Sequence, residues 1–311
     1  MTELKQKVKN ALNEGRTLIL GSEVLIGFEF RSAFQTGFDK LPFVIQYTRL
    51  AGLCFMLLAL ALLIAPATRH RLVERGGDSQ GFLAYTTRII EIALLPFALG
   101  LGIDLYLAAQ KVTGPKSALA AGIIATAFAL FFWYGLEMLD RRKQGKEKTM
   151  SNQKSTPIKA LSEDETTLSD KVEHVLTETR MVLPGVQALL GFQLSIILLE
   201  SFDQLSSSSK YIHLVSLALI AVSIVLLMTP ASYHRIVERG EDTEGFHRFA
   251  SHTLLAAVAF LALGISGDFF VVVNRVTHAM FFALIASIIM LVLFYGLWFA
   301  LPIYRRTTGN Y

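Results

Sequence analysis

The residues of this chain with chemistry to offer are ionisable side chains set inside long apolar runs. Glu23, Glu29, Arg49 and Arg88 stand in stretches rich in Leu, Ile, Phe and Ala, and Gln187, Gln193, Glu200, His213 and His252 stand in later ones. A charge at the centre of a membrane helix costs about 2.5–3.5 kcal/mol on insertion scales, so each such residue marks a function or a compensating partner. Carboxylates and imidazoles exchange protons, and His does so near neutral pH, whereas Arg stays charged. A polar stripe built from these types is the composition of a proton relay. Asp104 and Asp268 close two other apolar runs, seven residues before Lys111 and Arg275. They read either as helix ends facing water or as cation-collecting acids at an outer vestibule.

Spacing suggests partners. Glu29 lies ten residues before Asp39, and Arg49 eight after Leu41, so the two sit at similar depth on either side of a hairpin. Glu23 and Arg88 lie similarly far in from the opposite end. Where the first set has Glu29/Arg49 and Glu23/Arg88, the later set has Gln193/His213 and Gln187/His252. Removing one member of a buried ion pair strands the other at several kcal/mol, so paired replacement of Glu by Gln and Arg by His predicts contact within each pair. The competing reading is that such pairs are interhelical fasteners worth about 1 kcal/mol each.

The comparison is possible because the chain repeats itself. Adding 164 carries Arg16 to Arg180, Phe38-Asp39 to Phe202-Asp203, Pro66 to Pro230, His70-Arg71 to His234-Arg235 and Asp104 to Asp268, without a gap until Thr113/Thr277. The register then slips by three, bringing Tyr134-Gly135 onto Tyr295-Gly296. A period this long is a duplicated domain, not a solenoid. With 311 residues, 53% hydrophobic and 17% charged, the chain is too apolar for an ordinary soluble domain. Each repeat offers four runs near the 20 residues needed to span a bilayer: 17–38, 43–65, 82–110 and 117–139, then 181–202, 211–229, 246–274 and 279–301. The expected fold is all-α, with eight transmembrane helices as two parallel four-helix repeats.

Lys and Arg gather at the N-terminus, after the second and sixth spans, between the repeats and at Arg305-Arg306. The positive-inside rule then makes both termini cytoplasmic. The net charge of +4 follows from this topology and calls for no nucleic-acid partner. The charged start lacks a cleavage site, so no signal peptide is expected. The expected units are 1–140, a flexible polar linker over 141–167, and 168–311. Ahead of each first span, Leu4, Val8, Leu12 and Leu168, Val172, Leu176 recur every four residues. They predict amphipathic segments along the inner membrane surface, or else plain extensions of the spans. The lone Cys54 excludes an internal disulfide.

The longest shared motif is Pro-x-x-x-His-Arg-[Leu/Ile]-Val-Glu-Arg-Gly-x-Asp-[Ser/Thr]-x-Gly-Phe, at 66–82 and 230–246. It contributes His70, Arg71, Glu74, Arg75 and Asp78, and His234, Arg235, Glu238, Arg239 and Asp242. Pro66 and Pro230 are expected to end the second spans, Gly76 and Gly240 to stop the helix, and Asp78-Ser79 or Asp242-Thr243 to cap the next. Its basic residues also suit anionic lipid headgroups. No phosphate loop and no HExxH-type metal spacing is present, so neither a metal nor a cofactor is expected.

The His-Arg-x-Val-Glu-Arg-Gly segment followed by Gly-Phe, with Gly-Phe-[Glu/Gln] in the first span, resembles a family of small bacterial membrane proteins of four spans each and no settled activity. The resemblance implies two such units fused in one chain at the bacterial inner membrane; sodium/proton antiporter labels attach to some members. The expected function is membrane transport, as a proton-linked monovalent cation carrier or a channel. A non-transporting scaffold or sensor is the alternative. An enzyme is not expected, because no nucleophile with a base and oxyanion donors is present.

Overall fold

A computed structural model describes residues 3–135, 167–239 and 241–308; the linker expected over 141–167 lies, but for Thr167, outside the described residues. The described chain is helical, with no strand. The principal helices are α1 (Glu3–Ser32), α2 (Phe43–Leu72), α3 (Gln80–Thr113) and α4 (Pro115–Leu130), then α5 (Leu168–Ile197), α6 (Ser207–Ile236), α7 (Glu244–Thr277) and α8 (Met280–Tyr295). Their lengths, 30, 30, 34 and 16 residues, are identical in the two halves. A π turn follows both short helices, at Phe131–Gly135 and Gly296–Ala300, and the second leads into a further helix, Leu301–Thr308.

Seven of these helices are long and apolar enough to cross a membrane, and the chain is a polytopic all-α membrane protein. The expected eighth, α1, does not qualify because Glu23, Glu29 and Arg31 interrupt its apolar stretch. It is sheltered instead, packing against α2, α3 and above all α5.

α1 and α5 run side by side in the same direction. Lys9 Nζ donates to Glu173 Oε1 at 2.5 Å near one end, and Ser201 Oγ, just beyond α5, donates to the Phe34 carbonyl near the other. Phe28 and Phe192, 164 apart and so repeat-equivalent, meet with ring centroids 4.4 Å apart. The two halves are thus related by an axis along the helices, as parallel repeats require. Away from the axis the symmetry fails. α2 packs on α7 and on the π turn after α8, where Trp298 Nε1 donates to the Ala61 carbonyl at 2.7 Å. The equivalent helices α6 and α3 make no comparable packing.

Local expectations fare variously. Ser79 and Thr243 cap α3 and α7, each accepting the N–H three residues on, from Phe82 and Phe246, at 3.0 Å. The turn before each cap passes through a left-handed residue, Arg75 at φ 52° and Arg239 at φ 53°. Pro66 and Pro230 do not end α2 and α6; both lie inside helices that continue to Leu72 and Ile236. The amphipathic segments are not surface helices either. They are the first turns of α1 and α5, and Leu4, Val8, Leu12 and Val172 are buried in the seam between the halves. Burying apolar faces against each other satisfies them better than a membrane surface would.

Candidate functional site

Three polar groups follow the seam between α1 and α5. At the end away from the basic termini, Asp268 of α7 takes Gln193 of α5 and His213 of α6 as partners. His213 Nδ1 lies 2.8 Å from Asp268 Oδ1, its Nε2 lies 3.3 Å from the Gln193 carbonyl, and the Gln193 amide donates to Asp268 Oδ2. All three residues are buried. Both imidazole nitrogens face acceptors, so the ring donates at one of them at least. Phe202 meets the imidazole edge-on at 5.5 Å.

The matched residues of the first half gather too, in a looser form. Glu29 and Asp104 stand near each other with Arg49 in electrostatic range of both, and neither Glu29 oxygen has a hydrogen-bond partner among the described residues. No ion pair joins Glu29 to Arg49 within 4 Å among the described residues, so the direct contact expected there does not form. Asp104 thus stands beside Glu29 in the first half where Asp268 stands with Gln193 and His213 in the second.

Beyond the Asp268 cluster, a cavity of about 340 Å³ opens among Asp39, Gln204, Ser206, Ser209, Asn274 and Arg275. Arg275 crosses it, pairing with Asp39 of the other half at 2.9 Å and donating to the Ser201 carbonyl at 3.2 Å. Ser209 lies four residues from His213 on α6, and both are buried, so the cavity wall and the Asp268 cluster share one helix face.

Midway along the seam Glu23 is fully buried, and neither carboxylate oxygen has a hydrogen-bond partner among the described residues. It lies against Gly185, where any Cβ would collide with the carboxylate. Its expected partner Arg88 is exposed on α3, and Gln187 and His252 are exposed as well, so neither the Glu23/Arg88 nor the Gln187/His252 contact forms. Glu200 is also exposed and stands outside the cluster.

At the basic end lies a third cluster, built from the motif of the first half and from α5. Arg71 grips Glu178 with Nε–Oε2 at 2.6 Å and Nη2–Oε1 at 2.8 Å, and His70 Nδ1 meets the same Oε1 in a short contact. Arg71 Nη1 reaches His247 Nε2 at 3.2 Å. His70 stacks on Phe82 at 4.4 Å, and its Nε2 lies 3.1 Å from the Gly77 carbonyl. His174 Nδ1 lies 3.3 Å from the Gly76 carbonyl, and its Nε2 faces Asp78 Oδ1 at 3.7 Å. Burial pushes the Asp78 carboxyl above its usual range, against the pull of His174 and Lys5. Glu74 is held by Arg69 at 3.6 Å and by the Ser79 hydroxyl at 3.0 Å, while Arg75 is exposed.

The same motif in the second half builds no such centre. His234 meets Phe246 with tilted rings at 4.6 Å and faces Asp242 at 3.4 Å, but Arg235, Arg239 and Asp242 are exposed and Glu238 is half-buried. Glu178, His174 and His247 escaped the sequence reading. They sit where the first half has Glu14, Asn10 and Leu83, and the one signal for two of them was the i, i+4 pair His174/Glu178 on an amphipathic stripe.

One family model, described as a family of unknown function (DUF6328), matches residues 2–137 and again residues 162–302. No curated protein and no solved structure matches the chain.

Proposed function

The chain belongs to this family of unknown function, which it carries twice, and from that premise we propose that it is a proton-linked membrane transporter for monovalent cations. The observation that carries the reading is the line of buried ionisable groups on one face of α5. His174 and Glu178 stand at the basic end, Glu23 lies against Gly185 midway, and Gln193 with Asp268 and His213 lies toward the other end. From residue 174 to 193 a helix rises about 28 Å. That is close to the roughly 30 Å hydrocarbon thickness of a bilayer.

Buried carboxylates and imidazoles are costly fasteners compared with Ser or Asn, and a proton path gives them a use. Val182, Val186 and Leu189, all buried, separate Glu23 from its neighbours on α5 and act as the barrier that stops a passive leak. By the distribution of Lys and Arg, the basic end faces the cytoplasm of a bacterial inner membrane. Protons and monovalent cations then enter from the far side through the cavity bridged by Arg275 and Asp39.

Purified protein in liposomes, given a pH gradient and then sodium or potassium, tests this. The reading expects cation-dependent dissipation of the gradient that Glu23→Gln and Asp268→Asn abolish. Absence of flux in the parent protein refutes it and leaves the scaffold reading, in which the clusters only lock the helices together.

A further inference from the structure

We propose that His70, His174 and Asp78 form a site for one divalent first-row transition-metal ion at the basic end of the bundle. One nitrogen from each imidazole and one Asp78 carboxylate oxygen lie within 4.8 Å of one another. The three come from the end of α2, the turn before α3, and α5 of the other half, so the site exists only where the two repeats meet. It does not depend on the transport reading.

The surroundings of each ring select Nε2 as the ligand atom. Two groups face His70 Nδ1, the Glu178 carboxylate in a short contact and Arg71 Nη2 at 3.0 Å; the nearer, the carboxylate, calls for a proton on that nitrogen and leaves the Nε2 lone pair outward. A carboxylate that orients a histidine in this way is the usual outer support of a metal-bound imidazole. His174 repeats the arrangement with a backbone carbonyl, since its Nδ1 faces the Gly76 oxygen at 3.3 Å. His174 Nε2 is then left buried without a hydrogen-bond partner, facing Asp78 Oδ1 at 3.7 Å. That separation is near the edge of a tetrahedron drawn around an ion with ligands at about 2.0–2.2 Å.

A further contact points to a cation. With its proton on Nδ1, His70 turns the Nε2 lone pair toward the Gly77 carbonyl oxygen, 3.1 Å away. Two acceptors face each other there, and a positive centre beside them removes the repulsion. The charge of Arg71 does not oppose this, because Glu178 holds its guanidinium at two points on the Nδ1 side of His70. Two imidazoles and one carboxylate suit Zn²⁺, Co²⁺ or Fe²⁺ and offer little to Mg²⁺ or Ca²⁺.

The chain contains its own control. His234 and Asp242 face each other at 3.4 Å in the second half, but the position equivalent to His174 is Asn10, so that copy lacks the third ligand.

The test uses the full chain, purified in detergent and stripped with a chelator, and titrated with Co²⁺ while visible absorption is recorded. The inference expects saturation at one Co²⁺ per chain, displacement by Zn²⁺, and a rise in thermal midpoint on adding Zn²⁺. His174→Asn, which installs the residue of the other repeat, and Asp78→Asn should each weaken binding at least tenfold, while His234→Asn leaves it unchanged. No saturable Co²⁺ binding by the parent protein overturns the site and assigns the positive centre to a second proton on His70. Equal affinity in Asp78→Asn, a substitution in a turn, overturns it even if His174→Asn fails to fold.

Discussion

Replacing Glu178 by Gln keeps the shape of the side chain and removes its charge, and its effect follows from the geometry at the basic end. Glu178 and Arg71 have side chains fully shielded from solvent and are joined by contacts of 2.6 and 2.8 Å, with His70 on the same carboxylate. Breaking a buried pair by removing one partner costs about 3–5 kcal/mol, since the other charge stays buried without compensation. At roughly 2 °C per kcal/mol for a large chain, the thermal midpoint should fall by about 6–10 °C. The assay is thermal unfolding of purified protein in one detergent, read by intrinsic fluorescence. Removing both charges, as in Arg71→Met with Glu178→Gln, should recover part of the loss, giving a coupling of roughly 2–3 kcal/mol. The equivalent residue Glu14 is exposed, so Glu14→Gln should stay within about 0.5 kcal/mol. A fall no larger for Glu178→Gln than for Glu14→Gln would refute the claim that this network holds the halves together.

Three smaller tests probe other contacts. Gly185→Ala drives a methyl group into the buried Glu23 carboxylate and should cost about 1–3 kcal/mol, whereas Gly21→Ala, at the equivalent position with nothing within 4 Å, should be neutral or slightly stabilising; paired melting curves decide. Lys9→Glu sets two carboxylates against each other at a half-exposed pair and should cost only about 0.5 kcal/mol, restored by adding Glu173→Lys, as a double-mutant cycle would record. Trp298→Phe removes the hydrogen bond to the Ala61 carbonyl and should cost about 1–2 kcal/mol, with earlier protease cleavage near the C-terminal helix as the readout.

Periodic and local signals were legible in the sequence; contacts between distant helices were only partly so. The repeat, the apolar spans and the caps at Ser79 and Thr243 rest on local sequence patterns, and the structure has them but for the span expected of α1. Depth counted from a hairpin brought Gln193 and His213 to the same level, and they do meet. The count could not see Asp268, which reaches His213 from 55 residues away, because it gives height along a helix and no rotation about its axis. The same blindness paired Glu23 with Arg88, although Glu23 is buried and Arg88 exposed. Leu4, Val8 and Leu12 showed an apolar stripe truly, but a stripe does not say what covers it, and here the other half does.

That cover explains why one motif has two fates. At an axis relating two halves, equivalent residues meet each other, as Phe28 meets Phe192 and Lys9 meets Glu173. Two identical chains would set Lys against Lys or Glu against Glu at the second contact and repel; a fused chain can set unlike charges there. Once the halves are free to differ, a polar centre need be completed only once. Glu178 and His174 close over His70 and Arg71, while Glu14 and Asn10 remain at the surface and leave His234 half-buried. Packing follows the same division, for α2 is covered by α7 and by the turn after α8, and α6 has no such cover from α3. The asymmetry is therefore tied to the fusion itself. Exchanging the two pairs, with Asn10→His and Glu14 kept against His174→Asn and Glu178→Gln, should not rebuild the centre at His234, because among the described residues no second set of helices stands there to bury it.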